Sequence, residues 1–130
     1  MVPRAADFLA TFRALAALRF FRYAFIVSAL FVLLAAALPA WKVLPLSYGS
    51  EVVPIHYNIH YGVDKTGPWW RLFTLPAFAL IVLVLNAVLS TTLWKHDHVL
   101  ARYVAGMTVV VAGLAFIAMI FVVLLNMSYG

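Results

Sequence analysis

Apolar residues in this chain come in long unbroken runs rather than at amphipathic intervals. Leu72 to Trp94 and Tyr103 to Leu125 each run 23 residues without Asp, Glu, Lys, Arg or His, against the roughly 20 that carry an α-helix across the hydrocarbon of a bilayer. Tyr23 to Ala40 gives a third run of 18 residues. It is bounded by Arg19 and Arg22, whose side chains reach back to headgroups, and by Pro39 and Trp41. The pattern predicts an all-α membrane protein: three transmembrane helices at about 23–40, 72–94 and 103–125 in one membrane domain over 23–130, with an outer loop at 41–71.

The loop has a different rhythm. From Ile55 to Val63 the odd positions are Ile, Tyr, Ile, Tyr and Val, while His56, Asn58 and His60 take the even ones. A strand would set these on opposite faces. With Val43 to Leu46 as a partner strand and Ser47-Tyr48-Gly49-Ser50 as the turn, the expected cap is a small β-hairpin. The run Asp64-Lys65-Thr66-Gly67-Pro68 is then expected to turn the chain back to the membrane.

Before the first span lies a basic amphipathic segment, residues 1–22, in which Phe8, Phe12, Leu15 and Arg19 recur at helical spacing. It fits a helix on the membrane surface or a straight extension of the first span. A cleavable signal peptide ending near Ala35-Ala36-Ala37 is a further alternative, disfavoured by the length of its basic leader.

Composition agrees: 67% of the 130 residues are hydrophobic and 10% charged, too apolar for a soluble domain. The formal charge of +5 matters through its distribution. Arg4, Arg13, Arg19, Arg22, Lys95 and Arg102 fall on one side of a three-span topology, and Lys42, Lys65 and Arg71 on the other. Basic residues are retained in the cytoplasm, so the expectation is an inner (plasma) membrane protein with its N-terminus cytoplasmic and its C-terminus outside. That bias accounts for the arginines without nucleic acid. Trp41, Trp69, Trp70, Trp94 and Tyr103 sit at the span ends, where amphipathic rings prefer to lie.

Packing inside lipid needs small residues and polar glue. Ala101, Ala105, Thr108, Ala112 and Ala115 recur at spacings of 4, 3, 4 and 3, one stripe of a left-handed helix crossing. Ala79, Asn86 and Ser90 share a face of the second span, where the Asn86 amide should seek a partner in the bundle. Pro76 falls in that span's first turn or so, where early amides lack helical partners.

Chemistry is sparse. Absent cysteine excludes disulfides, thiolate metal sites and thiol nucleophiles. On a strand His56 and His60 stand about 13 Å apart, too far to share one ion. His96-Asp97-His98, in the short inner loop, has too few ligands for a mononuclear site and reads as a solvated turn. There is no Gly-x-Ser-x-Gly or phosphate loop, and no span carries an ionisable group away from its ends, as pumps and carriers generally do. The expectation is no catalytic residue, metal or cofactor.

The segment Val53-Pro54-Ile55-His56-Tyr57-Asn58, then Gly62, Asp64 and Gly67, then Trp69-Trp70 leading to Pro76, resembles an uncharacterised bacterial membrane domain. That domain also occurs in SdpI-type toxin-immunity proteins, with a Pro-x-His-x-Asn segment between two membrane helices. Ile59-His60-Tyr61 widens the spacing before Gly62 relative to that pattern. Most such proteins have no assigned role, so immunity is an implication of the resemblance. Three functions fit: a non-catalytic accessory or stabilising subunit whose outer loop and small-residue helix seams bind other membrane proteins or itself, an extracytoplasmic binding or immunity protein using His56, Asn58 and His60, and a homo-oligomeric channel.

Overall fold

The computed structural model describes residues 5–45 and 52–129. Its elements run α1 (Ala5–Ala17), α2 (Arg19–Lys42), β1 (Val53–Asn58), β2 (Gly62–Gly67), a 3-10 turn (Trp69–Phe73), α3 (Thr74–Leu93) and α4 (His98–Tyr129). Three stretches are helical, long and apolar enough to cross a membrane: Arg19–Lys42, Trp69–Leu93 and His98–Ser128. The arrangement is that of a multi-pass membrane protein.

Leu18, with φ −72° and ψ 129°, is extended and separates α1 from α2. The first helix is therefore no straight continuation of the first span. It folds against α2 and α3, with Leu15 fully buried beside Phe21, Ala24, Ala101 and Ala105.

In the bundle α2 and α4 run parallel, and α3 returns antiparallel between their ends. Phe20 faces Gly106 at one level and Phe31 faces Gly113 and stacks on Phe116 at the next. Leu72, before α3, packs with Met119 and Val123 near the end of α4, whereas Leu93 and Trp94 pack with Ala101 near its start. Along α4 the buried positions are Ala101, Ala105, Thr108, Ala112, Ala115, Met119, Val123 and Asn126. The stripe thus continues about three turns past the small residues, widening to Met and Val where α2 gives way to the hairpin. Small side chains let the backbones of α2 and α4 approach closely, which is where lipid-embedded helices find attraction.

Polar side chains inside the bundle are mostly satisfied locally. Asn86 Nδ2 donates to Thr108 Oγ1 at 3.0 Å, and that hydroxyl donates to the Val104 carbonyl. Ser28 and Thr91 donate to carbonyls one turn back. Ser90 Oγ is buried and has no hydrogen-bond partner among the described residues. Pro76 is the third residue of α3, where amides lack helical partners anyway, whereas Pro39, in the last turn of α2, removes the N–H that would reach the Ala35 carbonyl, close to the helix end.

The hairpin differs in place from the sequence expectation. Its strands are β1 and β2, antiparallel, joined by Ile59-His60-Tyr61. Val43 to Pro45 form a turn after α2 rather than a strand, and the turn expected at Ser47 to Ser50 lies outside the described residues. The run 55–63 is thus not one strand. Asn58 and Gly62 interrupt it: Asn58 Oδ1 accepts the His60 amide at 2.9 Å, and Gly62 takes φ +75°. The left-handed residue follows the three-residue loop as the first of β2, and glycine adopts that conformation without a Cβ penalty. Likewise Asp64 to Gly67, expected as a turn, belong to β2; the chain bends at Pro68 instead.

Candidate functional site

The hairpin sits over one end of the bundle because both partners supply what the other lacks. Val53, 4% exposed, joins Ala35, Val43, Leu72, Met119 and Val123 in an apolar cluster. Beside it, Asn126 Nδ2 donates to the Pro54 carbonyl at 2.7 Å and to the Val122 carbonyl at 2.9 Å, with Asn126 only 2% exposed. At 32 residues α4 spans about 48 Å at 1.5 Å per residue, well beyond a hydrocarbon core of about 30 Å. The surplus length makes a post for the hairpin.

Around this end stand ring and cation pairs. Lys42 Nζ lies 4.1 Å from the Trp41 ring centre, Arg71 Cζ lies 5.7 Å from that of Trp70, and Trp69 meets Phe73 edge to face. Rings and basic heads of this kind suit the headgroup layer.

The three loop residues singled out from the sequence do not form one face. His56 pairs opposite Lys65 in the ladder, and Asn58 spends its carbonyl oxygen on its own turn. His60 is exposed in that turn. Register irregularities on both sides of His56 break the expected alternation. Neighbouring His56 and Tyr57 consequently both line a groove of about 520 Å³ between β1 and the end of α4. Phe121, Leu124 and Leu125 form its apolar wall, and Ser128 its far rim. A groove so built can take an apolar chain with a polar end. No cluster of three metal-binding side chains occurs among the described residues.

The packing residues have another fate. Ala101, Ala105, Thr108, Ala112 and Ala115 are all buried against the chain's own helices. Asn86 is bonded to Thr108. This stripe is used up in packing the chain's own helices.

At the opposite end, Asp97 is more than a solvated turn. Its Oδ1 accepts the amides of Val99 and Leu100 at 2.8 and 2.9 Å, capping α4. His98 lies against Trp94, ring centres 4.1 Å apart, and Trp94 meets Phe21 edge to face. An Asp just before a long apolar helix is a legible cap signal. Asn126 could also have been found, because it lies seven residues beyond Met119 on the stripe that starts at Ala101.

Comparisons of this chain with models of known families, with curated proteins and with solved structures found no match.

Proposed function

We propose that this chain is a small, non-catalytic accessory or stabilising subunit of a membrane assembly, and that it meets its partner through the tip of the hairpin. The observation that carries the reading is the pair Ile59 and Tyr61, 82% and 83% exposed on a turn whose base is tied to α4. Large apolar side chains held out on a braced turn suit anchors that enter a partner's pocket, since little ordering remains to be done on binding. The excess of basic residues at the α1 end supports a bacterial inner membrane, with that end cytoplasmic and the hairpin outside.

The test is extraction in mild detergent through a C-terminal affinity tag, with quantitative mass spectrometry of what stays bound. A stoichiometric protein should accompany the native chain and be lost from Ile59→Ser/Tyr61→Ser, with helix content unchanged. Recovery of the chain alone, or only as a homo-oligomer, removes this reading.

A second reading is supported by the groove beside His56 and by the resemblance of Val53 to Pro76 to the immunity-associated domain. Here the cap binds a peptide toxin or a lipid headgroup. His56→Ala should then weaken ligand binding, while the Ile59/Tyr61 double variant leaves it intact.

A further inference from the structure

At the α1 end a second groove, about 390 Å³, lies between the first turn of α2 and the start of α4. Phe20 forms one wall, and Val99, Arg102, Tyr103, Gly106 and Met107 the other. The α4 residues fall at i, i+3, i+4, i+7 and i+8, a single helix face. Gly106 keeps the floor open: even the nearest atom to a Cβ there would be Phe20 Cζ, 4.0 Å away. Deeper along the same face come Val110, Leu114 and Ile117, all more than half exposed. The groove thus runs from a basic, ring-lined mouth onto an apolar helix surface.

The one charged side chain that lines the mouth, Arg102, is basic. Arg102 has no ion-pair partner among the described residues. Arg19 and Arg22 flank Phe20 in sequence, and Lys95 lies in the preceding turn. The one acid beside them in sequence, Asp97, turns its Oδ1 into the amides of Val99 and Leu100.

We propose that this groove is a binding site for one anionic glycerophospholipid. Its phosphate meets Arg102, with the Tyr103 ring at glycerol depth, and an acyl chain lies between Phe20 and the Gly106–Met107 floor. Guanidinium suits a phosphate because its fixed fork can donate two parallel hydrogen bonds. Zwitterionic lipid can fill the apolar part equally well but carries a compensating cation at the mouth, so selectivity resides in the charge. The inference does not depend on the hairpin's role.

Native mass spectrometry of the purified chain, exchanged into detergent with equal phosphatidylglycerol and phosphatidylcholine, reads the site directly. The native chain should retain one phosphatidylglycerol in preference, and Arg102→Gln should cut that preference about fivefold, the worth of one basic contact at an anionic surface. Arg102→Lys should keep part of it, and Arg13→Gln, on α1 at the same end, should leave it unchanged. Equal retention of both lipids by the native chain would overturn the proposal. So would equal losses in Arg102→Gln and Arg13→Gln, which would mean a diffuse field rather than a site. Displacement of the lipid by sn-glycerol 3-phosphate at equal concentration would also overturn it, since the groove would then contribute nothing.

Discussion

In the middle of the bundle, contact is spread over many similar positions: four alanines and Thr108 of α4 disappear one after another against α2 and α3. At the hairpin end, attachment is concentrated. Val53 supplies an apolar contact, and the Asn126 side chain donates a hydrogen bond from bundle to hairpin. A distributed seam fails when a single position is overfilled, because every neighbour on the stripe must shift. A concentrated tether fails when one residue is removed, and the failure stays local. The helices and their cap can therefore be perturbed separately.

The largest expected effect comes from overfilling the seam. Ala112 is 1% exposed, so Ala112→Leu should cost about 1–3 kcal/mol, the range for an overpacked core. It should lower the thermal midpoint of the whole bundle in detergent, followed by circular dichroism. An unchanged midpoint would mean that the seam is not closely packed. Next in size, Asn126→Ala leaves the Pro54 carbonyl without its donor, a loss of about 1–3 kcal/mol confined to the cap. Amide exchange should quicken across residues 53–67, while α2 to α4 keep their protection. Quickening throughout the chain would show that cap and bundle are one cooperative unit. Smallest is Asn86→Leu, which removes the bond to Thr108 at about 0.6 kcal/mol, a typical value for interhelical hydrogen bonds in membranes. A loss several times larger would make Asn86 a keystone of the bundle instead of minor glue.

The contrast also explains what could be read from the sequence. Spans and seam were legible because lipid imposes one rule along a whole helix: stay apolar, and recur at 3.5 to 3.6 residues where a neighbour approaches. The hairpin's existence was legible, but its register was not. Ile59 and Tyr61 continue the alternation of Ile55 and Tyr57 so well that periodicity runs straight through the turn. Turn chemistry prevails there, through the Asn58 side chain and the left-handed Gly62. Asn126 was legible as a further position of the α4 stripe, but its partner was not, because that partner lies 72 residues earlier in the chain. The break at Leu18 had no Gly or Pro to announce it.

Cysteine is absent from the chain, which gives topology a clean background. Tyr61→Cys and His96→Cys place single thiols at exposed positions, one on the hairpin tip and one between α3 and α4. In intact cells a membrane-impermeant maleimide should label the thiol at position 61 and not that at 96, with both labelled after permeabilisation. Labelling of both positions, or of 96 alone, in intact cells would contradict a cap that faces outward above a three-span bundle.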